Sequence, residues 1–159
     1  DWDRTRAYGL GAYEALLYLH PEKKNQDPRA YDALFAEVAR GISSIPGPDG
    51  RPLSTVVHRL DEMYGDTALA EAPDGVVYFD GLLMGANCDV GNVGMYSWAN
   101  IVGADDGLHV PEGTFIMSGP GVAPRGQVDT ISVVDMTPTM LGLLGVPSHP
   151  RMKGKNVLI

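Results

Sequence analysis

Apolar positions recur at helical spacing most clearly in one stretch of the chain. Ala30, Leu34, Val38 and Ile42, with Tyr31, Phe35 and Ala39 beside them, form a single stripe, the mark of an amphipathic helix laid on a core. Asp27 can accept from the first free N–H groups, and Pro28 suits the first helical position. The spacing predicts a helix that ends near residues 41–44.

The flanking pattern is shorter in period. Residues 5–10 read as extended, ending in Gly9 and Gly11. Residues 12–19 fit helix or strand, and their aromatic content with the stop at Pro21 favours a strand at 15–19. Residues 22–26 form a charged loop, and 45–53, with Pro46, Gly47, Pro48, Asp49, Gly50 and Pro52, form another. A short strand is predicted at 54–60, with His58 as an ordinary strand residue, and 61–65 turn away. Ala72-Pro73-Asp74-Gly75 is a turn that launches an apolar, central-looking strand at 76–79. Residues 81–94 are Gly-rich, with room for an edge strand at 82–84, and 95–102 show no clear period.

The C-terminal third is organised around 107–121. Thr114-Phe115-Ile116-Met117-Ser118 reads as a buried strand. Gly119-Pro120-Gly121 closes it with a turn. Residues 122–129 are loop and 130–134 a short extended run. A second helix follows, capped by Thr137 with Pro138 at its first position and Asp135 adding charge at the N-terminus. Met140, Leu141 and Leu144 are expected to face a core, Gly145 to end the helix and Pro147 to block its continuation. The tail, 148–159, is polar until Val157-Leu158-Ile159. The whole reads as an α/β chain of mixed strands with two main helices.

Composition narrows the function classes. The 159 residues, 44% hydrophobic and 20% charged, suffice for one domain with a core. A formal net charge of -8 argues against nonspecific binding to nucleic acid or anionic membranes. Cys88 is the single cysteine, so neither an internal disulfide nor a Cys-based zinc cluster can form. It fits a cytoplasmic or a periplasmic protein alike. No apolar run reaches membrane-spanning length. The chain opens on the dense Asp1-Trp2-Asp3-Arg4-Thr5-Arg6-Ala7-Tyr8, which reads as the middle of a longer protein.

Candidate chemistry is sparse. There is no Gly-x-Ser-x-Gly elbow and no His-Glu-x-x-His. Gly119-Pro120-Gly121 lacks the Lys-Ser/Thr of a phosphate-cradling loop. Asp105, Asp106 and His109 form the one carboxylate–imidazole cluster. Adjacent carboxylates point apart in most backbones, so Asp105-Asp106 reads as a solvated turn. A helix-start role accounts for Asp135 without a metal. His109, in a loop abutting a strand, is the first candidate for ligation, beside the commoner reading of a lone loop histidine as a capping or surface residue.

Three stretches together resemble the type I phosphodiesterase/nucleotide pyrophosphatase group of the alkaline phosphatase superfamily. The opening residues 1–11 resemble the segment after that group's metal motif. Gly107-Leu108-His109-Val110-Pro111-Glu112-Gly113-Thr114-Phe115-Ile116, with Gly119-Pro120-Gly121, is similar to its C-terminal metal-ligand stretch. Asp135-Met136-Thr137-Pro138-Thr139-Met140-Leu141 through Gly145-Val146-Pro147 is similar to the helix that follows. Ala72-Pro73-Asp74 and Met152-Lys153-Gly154-Lys155 match weaker positions, the latter where relatives often carry Asp-Gly.

The resemblance implies the C-terminal part of an α/β/α sandwich in which two divalent metal ions, usually zinc, activate a Thr or Ser nucleophile on a phosphoester. His109 stands where the group places its last metal-binding His. The nucleophile and the other ligands would lie upstream, in the missing N-terminal part of the same polypeptide. The chain is thus expected to be inactive alone, to hold no metal by itself, and to expose an apolar face that drives self-association. An upstream Cys would instead mark a sulfatase and an upstream Ser a phosphomutase. Absence of any such group would mark a non-catalytic interaction module.

Overall fold

The computed structural model describes residues 1–11, 13–20, 27–65, 71–87, 91, 93–98, 107 and 109–158. Cys88, Asp105, Asp106, the charged loop at 22–26 and part of 95–102 lie outside the described residues. The chain is mixed α/β, and its contacts divide it into two compact units, Asp1–Gly113 and Thr114–Ile159.

The first unit is built on four antiparallel strands: β1 (Ala7–Gly11), β2 (Ala15–Leu19), β3 (Val56–Arg59) and β4 (Gly75–Tyr78), in the order β1-β2-β4-β3. The strand expected at 15–19 is present, and the one expected at 76–79 is central. Register places Leu17 and Leu19 of β2 and Val77 of β4 on one face. Helix α1 (Pro28–Ser43) packs Tyr31, Leu34 and Phe35 against them, with Val38, Ala39 and Ile42 at the margin. Each such apolar side chain contributes about 1.5–3 kcal/mol on burial. The predicted stripe is the buried face except at Ala30, which is exposed. Asp27 caps α1 through its carboxylate, which accepts from the N–H groups of Arg29 and Ala30 at 3.0 and 3.3 Å.

After β3 the chain winds into the short helix α2 (Leu60–Tyr64). After β4 it makes a one-turn 3-10 helix, Asp80–Leu82, instead of the edge strand expected at 82–84; only an isolated bridge, Phe79 to Met84, forms there. Asp80 and Leu82 take positive φ, which turns the chain before a strand can extend.

The second unit departs further from the sequence pattern. Residues 114–118 form no strand, and Ile116 is exposed. A strand needs a neighbour to take its N–H and C=O groups, and none of the described residues pairs with this run. The turn at Gly119–Gly121 does form, with the Val122 N–H donating to the Gly119 carbonyl at 3.1 Å. The run expected at 130–134 ends in a 3-10 turn, Val133–Asp135, which leads into helix α3 (Met136–Leu143). The cap lies upstream of Thr137. The Ser132 side chain and Asp135 form a capping box, and Thr137 is exposed. Asp135 reaches back because its carboxylate has two backbone donors to satisfy, Ser132 N–H at 3.1 Å and Lys155 N–H at 2.8 Å.

Pro138 and Thr139 are the buried residues of α3, while Met140 and Leu144, expected to face a core, are exposed. Gly145 ends the helix as predicted, with φ 68° and its N–H on the Gly142 carbonyl, and the Val146 N–H reaches the Leu141 carbonyl. Among the described residues no helix is long and apolar enough to cross a membrane.

Candidate functional site

The sequence singled out His109, and the structure places it in the first unit, exposed, with its ring stacked on Tyr13. The ring centroids are 3.9 Å apart and the planes differ by 17°. Tyr13 lies between β1 and β2, in the shortest connection of the sheet, which thus presents one face of the stack. Stacking occupies the π face of an imidazole, whereas its nitrogen lone pairs lie in the ring plane. Contact with Tyr13 therefore orients the ring and leaves the ligating direction clear.

The other candidate ligands do not converge on it. His58 lies on β3, half-buried, edge-on to Tyr78 with 5.3 Å between centroids. Asp135 is buried in the second unit, its oxygens committed to Ser132 and Lys155. Asp105 and Asp106 lie outside the described residues. Among the described residues no three His, Cys, Asp or Glu side chains gather to hold a metal ion. His109 is a single donor, and a two-metal centre requires several more.

A second polar cluster went unnoticed in the sequence. Asp74, buried, accepts from the Tyr31 hydroxyl at 2.5 Å and from the Leu19 N–H at 2.7 Å. Burial and the Asp74 carboxylate push the Tyr31 phenol well above its ordinary pKa. Such a phenol keeps its proton and is a poor acid, so the pair serves structure, joining β2, α1 and the turn before β4. Beside it the Arg59 guanidinium lies over the rings of Phe35 and Tyr31, 4.9 and 5.5 Å from their centroids. It also donates to Asp61 and Asp32, each at 2.8 Å. The hydrogen bond from Arg59 holds the Asp61 carboxyl below its usual value. The sequence signals were present but plain: Pro-Asp-Gly reads as a turn, and an Arg closing a strand reads as surface.

The first unit also contains an open apolar cavity of about 510 Å³ between β1 and the end of α1. Gly9, Gly11, Leu53, Phe79, Met84 and Tyr96 are among its lining residues, and none of the lining side chains is charged. It offers no cationic side chain to a phosphate dianion. Comparisons with protein-family models, with curated proteins and with solved structures return no match for this chain.

Proposed function

We propose that this chain is the C-terminal portion of a metal-dependent phosphoric-ester hydrolase of the type I phosphodiesterase/nucleotide pyrophosphatase group. Its sheet and helices would belong to an α/β/α sandwich completed by upstream sequence. His109 would bind one of two divalent ions, zinc by preference for an imidazole donor. The observation that carries the reading is the exposed His109 imidazole, stacked by Tyr13 on its π face and not through its nitrogens. When bound, the metal pair supplies Lewis acidity toward a phosphoester. The part of this chain is to hold the imidazole at a fixed angle. Tyr13 does so by covering one ring face, as an outer contact that resists ring rotation.

The test uses the polypeptide extended upstream and a chromogenic phosphodiester. Hydrolysis is expected, falling at least about 100-fold in His109→Ala. An unchanged rate would overturn the assignment of His109. The 159-residue chain alone is expected to retain no stoichiometric metal after dialysis against zinc and manganese. Tight binding of one or two ions would replace an incomplete site with a self-contained one. A second reading, a non-catalytic interaction module, draws on the exposed Ile116, Val133, Met140 and Leu144 of the second unit. An upstream sequence without a Thr, Ser or Cys nucleophile in a metal-ligand context would favour it.

A further inference from the structure

We propose that the outer edge of β1 is a self-association surface, on which a second copy of this chain pairs antiparallel about Gly9 to continue the sheet.

β1 ends the sheet on one side, as β3 does on the other. The two edges differ. β3 closes on Arg59, whose charge is fixed to Asp32 and Asp61, and passes directly into α2. Charges and an abrupt turn are the usual protections of an edge. β1, Ala-Tyr-Gly-Leu-Gly, has neither charge nor proline, and Tyr8 and Leu10 are exposed.

The backbone settles which groups face outward. The His20 N–H donates to the Arg6 carbonyl at 2.9 Å, and β1 pairs with β2 in the register Tyr8 to Tyr18 and Leu10 to Leu16. Antiparallel ladders alternate, so Arg6, Tyr8 and Leu10 turn their N–H and C=O groups toward β2. Ala7, Gly9 and Gly11 turn theirs to the outer edge, which pairs with none of the described residues. On β2 the opposite set, which includes Leu19, faces away from β1, as the Leu19 N–H on Asp74 shows.

A two-fold axis at Gly9 then sets Gly9 opposite Gly9 of the second copy and Ala7 opposite Gly11. Every outward group of β1 gains a partner. Tyr8 meets Leu10 of the other copy in the non-hydrogen-bonded type of pair, where side chains stand closest. The five residues are thus self-complementary about their centre, as an isologous contact requires. Charge agrees at the ends. Arg6 precedes β1 and Glu14 follows it, so the antiparallel arrangement brings Arg6 of one copy toward the hairpin end that carries Glu14 of the other. The ion pair of Arg6 with Glu37 is more than half exposed on both sides and is free to exchange.

The experiment is sedimentation velocity of the 159-residue chain over a range of concentration, beside Gly9→Pro and Leu10→Lys. Proline at position 9 removes an outward N–H and leaves the β1–β2 ladder intact. The expected result is a concentration-dependent dimer in the parent chain, lost in both variants. A monomer throughout, or an association that Gly9→Pro leaves unchanged, would overturn the proposal. Hydrogen exchange of the parent chain gives an answer independent of any variant. The Gly9 and Gly11 amides should gain protection as concentration rises, whereas those of Tyr8 and Leu10 should be protected at every concentration. Exchange at Gly9 and Gly11 that does not respond to concentration would also refute the pairing.

Discussion

In Asp1–Gly113 the least accessible side chains are mostly apolar: Val77, Leu17, Leu19, Leu34 and Phe35. In Thr114–Ile159 the buried residues among those described are Asp135, Pro138 and Thr139, while Ile116, Val133 and Leu144 are among the most exposed described apolar groups. The first unit excludes water from a sheet face and a helix stripe. The second ties backbone to side chain. Asp135 holds Ser132 and Lys155, and the Thr139 hydroxyl donates to the Asp135 carbonyl at 2.7 Å while accepting from the Val157 N–H at 3.1 Å. Two side chains thereby bind the start of α3 to the tail. Gly154 is part of the same clasp, since a Cβ there would run into the Val134 carbonyl oxygen. The lesson is one of mechanism. Area removed from water stabilises the first unit, and satisfied donors hold the second together.

Substitution can break this contrast. Phe35→Ala should cost about 3–5 kcal/mol in urea denaturation through the cavity it leaves, whereas Leu144→Ala, on a residue 75% exposed, should stay within about 0.5 kcal/mol. Equal costs would mean that apolar burial does not distinguish the units. Asp74→Ala should follow at about 3 kcal/mol, because Leu19 N–H and the Tyr31 hydroxyl lose their buried acceptor. Tyr31→Phe should cost about 1–2 kcal/mol, and the difference sharpens how far polar groups matter inside the apolar unit. Asp135→Ala is expected to cost about 2 kcal/mol. Its effect should appear as faster amide exchange at Lys155 and Val157, with the amides of β2 and β4 unmoved.

The smallest effect is electrostatic. Arg59 lowers the Asp61 pKa in the fold, so the folded chain binds that proton less readily than the unfolded one. The stabilisation is complete above the unfolded carboxylate range, roughly pH 4, and is lost as pH falls through the lower folded value. Asp61 is more than half exposed, which limits the contribution to about 0.5 kcal/mol. Asp61→Asn should remove that acid-side dependence in melts taken across pH 2–6.

Local signals were legible where the structure rests on local physics. The helix from Asp27, the strand at 15–19, the turn launching β4 and the Gly145 stop all follow from caps, periodicity and turn chemistry. Residues 114–118 have the composition of a strand, but composition supplies no partner, and the described residues provide none. Thr137-Pro138 imitates a helix start so well that the true cap, Ser132 with Asp135, is hidden behind it. That box, Ser132-x-x-Asp135, is itself a local signal, whereas the second bond of the Asp135 carboxylate, from the Lys155 N–H 20 residues on, lies beyond any local window. The candidate site was legible as one residue, His109, from its place in a loop and from resemblance; its stacking partner Tyr13 lies 96 positions upstream and carries no motif.

The Tyr13–His109 stack has one more use. A tyrosine ring 3.9 Å above an imidazole sets up a ring current that moves the imidazole carbon-bound proton resonances upfield. Among the four histidines of the chain, His109 should therefore stand apart in a proton NMR spectrum. The resonance would shift on zinc addition if the imidazole ligates and would return toward the other three in Tyr13→Ala. The fold thus carries its own label at the residue on which its proposed chemistry depends.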